Sequence, residues 1–141
     1  MANSAQSAPD PVLKTEDDVR DLEKLIVQLQ GLHSEMSALS KKAPNDGLNL
    51  FKLKLVNNIL DKGNSILTGH YKPFEDFTTF DESALPTNSD VTMVLTLYIE
   101  QAERLRSNNM VYDEYTWKYL VNGTASEIEG RPPTKIGTER K

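Results

Sequence analysis

NSDVTMVLTLYIEQAERLR, residues 88–106, is the longest apolar run in the chain, with hardly a polar side between Val91 and Ile99. Its β-branched residues would suit a buried strand. Three features read it as a helix instead. Asn88, Ser89 and Asp90 supply cap chemistry at its start. The apolar spacing also continues through Tyr98, Ala102 and Leu105, past the point where a strand would end, and no partner strand is legible elsewhere. A helix so apolar around its circumference belongs in the middle of other helices.

On its C-terminal side, Ser107-Asn108-Asn109 precedes MVYDEYTWKYLVNG, where Tyr112, Tyr115 and Tyr119, with Val111 and Leu120, suit a last helix. Asn122-Gly123 reads as its stop. Residues 124–141 are polar, carry two adjacent prolines and end basic, which predicts a disordered basic tail.

On its N-terminal side, residues 70–87 show no helical period and hold three aromatics, Phe74, Phe77 and Phe80. A loop of that length in a small domain is often functional or pinned by its own side chains. Before it, a helix near 48–67 carries apolar residues on two sides, with Asn45 or Asp46 as its cap. Earlier still, Thr15 reads as the N-cap of a long helix over 15–41, with Asp18 completing an imperfect capping box. Leu22, Leu25, Leu29, Leu32, Met36 and Leu39 then form a heptad seam along it. Residues 1–14, rich in Ala, Ser and Pro, predict a disordered lead-in.

The expected fold is therefore all-α: a small antiparallel bundle of about four helices, near 15–41, 48–67, 89–107 and 111–122. It forms one helical domain over 15–123, between disordered ends. The heptad seam implies packing inside the bundle, with a homodimer through the first helix as the alternative.

Composition narrows the function. The chain has no cysteine, which excludes disulfides, thiolate metal sites and cysteine nucleophiles. No run approaches the roughly 20 apolar residues of a membrane span. The first residues lack the basic and apolar regions of a secretory signal, so the expected address is cytoplasmic. His33 lies beside the seam and His70 in a loop, and neither has ligand-spaced companions. No phosphate-binding glycine loop or nucleophile elbow is present. No metal, cofactor or enzymatic activity is expected.

Charge is more informative. From Pro73 to Glu103 there are seven acidic residues and no lysine or arginine. Within that span Phe74, Glu75, Asp76, Phe77, Phe80, Asp81 and Glu82 set aromatics on an acidic ground. Such a surface suits a basic partner protein, because complementary charge speeds encounter and selects partners. A plainer reading folds this loop over the lysines of the second helix, where exposed pairs contribute only about 0–1 kcal/mol each. Trp117 is a further candidate contact. The expected function is a non-enzymatic interaction or adaptor module, a small subunit of a larger complex. The alternative is a nucleic-acid-associated accessory protein. It would meet phosphates through Lys41, Lys42, Lys52 and Lys54, within the lysines of 41–62, and through the basic tail. A net charge of −5 weighs against that alternative.

Overall fold

The structure, a computed structural model, describes residues 13–135. Three helices, α1 (Glu16–Lys42), α2 (Leu50–Ile66) and α3 (Asn88–Asn108), precede a sheet of three strands, β1 (Met110–Asp113), β2 (Thr116–Val121) and β3 (Thr124–Glu129). The sheet is an antiparallel meander in the order β1-β2-β3. The architecture is α+β.

α1 begins with a complete capping box. Asp18 N–H donates to Thr15 Oγ1 at 3.1 Å, and Thr15 N–H donates back to Asp18 Oδ2 at 3.1 Å. Glu16, Asp17 and Asp18 fill the first turn and Lys41 and Lys42 the last, both favoured by the helix dipole. The heptad seam is consumed inside the molecule. Leu22, Leu25, Leu29 and Met36 are buried, and Leu32 and Leu39 pack partly buried against the same core. α1 lies chiefly against α3, where Ser40 Oγ and Thr92 Oγ1 meet at 2.7 Å and His33 Nε2 reaches Thr96 Oγ1 at 2.9 Å.

α2 is capped by Asn49, whose Oδ1 accepts from Lys52 N–H at 2.9 Å, rather than by Asn45 or Asp46. Gly63 sits inside this helix because a Cβ there would come within 3.1 Å of the Tyr98 ring on α3. α3 is capped by Thr87, one residue before the expected Asn88. Asn88 is instead buried, and its Nδ2 donates to Ala43 O at 2.8 Å, closing the C-terminal end of α1. The predicted helix over the central apolar run is present, with Val91, Val94, Leu95 and Tyr98 in the core.

The all-α bundle is overturned by the chain after α3. The segment 111–122 is not a fourth helix but a strand, a tight turn and a second strand. Met110 pairs with Tyr119 and Tyr112 with Trp117, so these four side chains share one face of the sheet. Met110 and Tyr119 are buried in the common core. The helical spacing of Tyr112, Tyr115 and Tyr119 is incidental, since Tyr115 occupies the turn. Asn122-Gly123 is not a helix stop. Both residues have positive φ, 53° and 82°, and they make the two-residue hairpin turn into β3. Glu114 and Tyr115 adopt the same left-handed conformation in the first hairpin, φ 52° and 68°, without the favoured residues.

The tail is likewise shorter than expected. Thr124–Glu129 is a strand, and residues up to Lys135 are tied to α3. Leu13, assigned by sequence to the lead-in, is buried, and its carbonyl accepts from Asn122 N–H at 2.7 Å. The remainder of the expected disordered ends, 1–12 and 136–141, lies outside the described residues.

Candidate functional site

The segment 72–87 has little regular structure, yet it is fixed in place by neutral side chains of α2 and α3. Asn57, buried on α2, clamps Phe80 on both sides. Its Nδ2 donates to Phe80 O at 3.0 Å and its Oδ1 accepts from Phe80 N–H at 3.0 Å. About two helical turns further on, Asn64 Nδ2 donates to Thr78 O at 2.9 Å, and Tyr98 Oη donates to Asn64 Oδ1 at 2.7 Å. Burial pushes the Tyr98 hydroxyl above the usual tyrosine range. These bonds satisfy backbone groups that a loop against a core would otherwise leave unpaired.

With the backbone held so, the three phenylalanines form an edge-to-face series. Ring centroids lie 5.5 Å apart for Phe74 and Phe77 and 5.0 Å apart for Phe77 and Phe80. Each packs partly against the core and keeps part of its surface open. Together with Leu85, Pro86 and the α3 residues Asp90, Met93 and Val94, they enclose an open groove of about 480 Å³. Met93 is 57% exposed and Leu85 46% exposed, both high for apolar side chains in a small domain.

The rim is acidic. Asp90 lines the groove, Glu75, Asp76 and Asp81 each adjoin a lining phenylalanine in sequence, Glu82 is two residues on from Phe80, and all five are exposed. Asp81 has a structural task as well: its Oδ1 accepts from Ser83 N–H at 2.9 Å and Ser83 Oγ at 2.8 Å. Those two bonds, the backbone one foremost, hold its carboxyl below the usual range. The contacts that attach the loop to α2 run through asparagines. The loop does lie against the lysine-bearing helix, as the plainer reading has it, but these bonds to asparagines, not acid–lysine pairs, fasten it there.

The structure thus brings Phe74, Phe77 and Phe80 together with their acidic neighbours and leaves Trp117 elsewhere. Trp117 is on β2, half-buried, with its ring edge-to-face against Tyr112 at 5.5 Å. Sequence reasoning missed the second wall of the groove. Met93 was absorbed into an apolar run, and only its place on the outer side of α3, two residues from buried Val91 and next to buried Val94, marks it as free.

The four lysines singled out for phosphates do not share one face. Lys41 and Lys42 close the last turn of α1. Lys52 pairs with Glu35 at 3.1 Å, and Lys54, two residues along α2, stands about 200° around the helix from it. Among the described residues no group of three or more His, Asp or Glu side chains is placed to hold a metal ion. No described helix is long and apolar enough to cross a membrane. Compared with known proteins, the chain matches no family model, no curated protein and no solved structure.

Proposed function

We propose that the protein is a non-enzymatic docking module that takes a basic, apolar-anchored segment of another protein in the Phe74–Met93 groove. The observation that supports it is the coincidence of an open apolar groove with an acidic rim on a loop that α2 already holds rigid. Apolar side chains of the partner would fill the groove between the phenylalanines and Met93. Its lysines or arginines would lie over Glu75, Asp76, Glu82 and Asp90. A preformed site avoids the entropy of ordering a loop on binding, which otherwise subtracts from affinity. The rim charges would act mainly on the association rate and on partner choice. The expected cytoplasmic address belongs to this reading. The distribution of Lys41, Lys42, Lys52 and Lys54 favours it over a nucleic-acid surface.

The test is affinity capture on the full chain from nuclease-treated native extract, compared with two variants. In one, Glu75, Asp76 and Glu82 are replaced by lysine; Asp81 is left alone because of its turn. In the other, Met93→Asp charges the groove wall. Stoichiometric partners held by the parent chain and lost from both variants are the expected result. Partners retained by both would overturn it.

A further inference from the structure

The α1–α2 seam carries a second surface, independent of the groove just described and lined by lysines as well as acids. α1 and α2 form an antiparallel pair, with Gly63 near Leu25 and Lys52 paired with Glu35. Three concavities along their junction run into one another. One is lined by Leu13, Asp18 and Asp21, and the next, of about 280 Å³, shares Asp21, Ser65 and Ile66 with it. The third, of about 360 Å³, shares Gln28 and Lys62 with the second and continues to Leu32, Leu55 and Ile59. The result is a furrow along α1 from Asp18 to Leu32, about 20 Å at 1.5 Å per residue. On α2, Phe51 is 71% exposed one turn before the lining residue Leu55, itself 44% exposed, so the two share one side of the helix. An apolar patch of that kind in the first two turns of a capped helix is unusual for a surface that meets only water.

Charge specifies the occupant. Lys24 on α1 and Lys62 on α2 both line the second concavity, and Lys62 also lines the third. Among the described residues neither has a carboxylate partner, whereas Lys52, nearly three turns earlier on α2 than Lys62, is paired with Glu35. Between them Gln28 Oε1 is shut off from solvent and accepts no hydrogen bond. A buried acceptor without a donor is a cost that a ligand's donor would remove. Asp21 marks the opposite end of the furrow. A second copy of this chain docking through a two-fold axis would set lysines against lysines at the centre, so self-association does not fit.

We infer that the α1–α2 furrow binds an amphipathic helix of a partner protein. That helix would have an apolar stripe over Phe51, Leu55 and Leu32, acidic residues facing Lys24 and Lys62, and its N-terminus toward Asp21. The geometry is that of a helix laid in a groove, read by anchors at i, i+3, i+4 and i+7. The helix N-terminus is the positive end, which matches Asp21.

The experiment is a selection on the full chain from a displayed library of 18-residue helical peptides. The apolar stripe is fixed and every flanking position is drawn from Glu, Lys or Ser. Selected peptides should be enriched in Glu at the middle flanks and should shift the amide signals of 24–32 and 51–66. They should bind at least tenfold more weakly to Lys24→Glu/Lys62→Glu and to Phe51→Asp. Both variants change exposed side chains and should unfold at the parent temperature. Binding to Met93→Asp should be unchanged, which separates failure of this site from failure of the acidic groove. Enrichment of Lys, no enrichment, or shifts confined to the Phe74–Met93 groove would overturn the inference. So would a dimer in sedimentation that Phe51→Asp makes monomeric.

Discussion

Two irregular segments of this protein are held against its helices, by opposite means. Residues 72–87 are fastened by neutral amides, Asn57 and Asn64, that bond backbone groups of Phe80 and Thr78. Residues 130–135 are fastened by a buried ion pair. Arg106, 1% exposed near the end of α3, donates to Glu103 through Nη2 at 2.7 Å and Nε at 2.8 Å. Its other donors reach Arg131 O at 2.8 Å, Pro132 O at 2.9 Å and Met110 Sδ at 3.2 Å. Glu103 in turn accepts from Thr134 Oγ1 at 2.7 Å and Thr134 N–H at 3.3 Å. The charged clasp is the stronger and the more conditional of the two. A buried pair is costly to desolvate and very costly to break on one side, whereas an amide clamp depends on no proton.

Acid is the sharpest way to separate them. Burial raises the Glu103 carboxyl, but the hydrogen bonds and charge of Arg106, with Thr134, outweigh it and hold the group at about 2 instead of 4.5. Because the folded value is depressed, the stabilisation is present in full above the ordinary glutamate range. It is lost as pH falls from about 4.5 toward 2. That difference corresponds to roughly 3 kcal/mol. Urea unfolding between pH 7 and pH 2 should show a loss of this order, and Glu103→Gln should be destabilised at pH 7 and lack most of the acid limb. An unchanged acid limb in Glu103→Gln would show that the clasp is not its source.

The amide clamp should behave differently. Asn57→Ala strips partners from the N–H and the carbonyl of Phe80 and should cost about 2 kcal/mol. The loss should be the same at pH 7 and pH 4. Because the phenylalanine wall depends on this clamp, the same variant should also weaken binding in the Phe74–Met93 groove. A pH-dependent loss would mean that Glu82, whose Oε2 lies 3.5 Å from Asn57 Nδ2, shares the work.

The difference between the segments also explains what the sequence revealed. α1, α2 and α3 were legible within a residue or two because each carries its own period and cap within one stretch. The loop of 72–87 was legible as a candidate site because its aromatics and acids are consecutive. Its fastening was not, since Asn57 and Asn64 look like ordinary polar positions of an amphipathic helix. The sheet was misread for a related reason. Tyr112, Tyr115 and Tyr119 satisfy helical spacing, while the alternation Met110–Tyr112 and Trp117–Tyr119 becomes visible only across a turn. The density of β-branched and aromatic residues from Val111 to Val121, followed by Asn-Gly, was the signal that could have found it. With β3 polar on its exposed edge, TASEIE passed for tail. Nothing in the sequence around Arg106 hints at its burial, because its partners at Arg131 and Pro132 are some 25 residues away.

A smaller change probes the clasp without breaking it. Thr134→Val removes the hydroxyl that donates to Glu103 Oε2 and leaves the Thr134 N–H and both Arg106 bonds in place. Thr134 is exposed, so water can replace part of what is lost, and the cost should be about 1 kcal/mol or less. The informative readout is the acid limb. Each hydrogen bond to the charged form of a carboxyl lowers its pKa, so losing one should raise the folded value of Glu103 and move the limb to higher pH. The shift should be a fraction of that produced by Glu103→Gln, and Asn57→Ala should show none. If Thr134→Val instead lost stability equally at every pH, its hydroxyl would be a packing group. The ion pair alone would then account for the acid sensitivity.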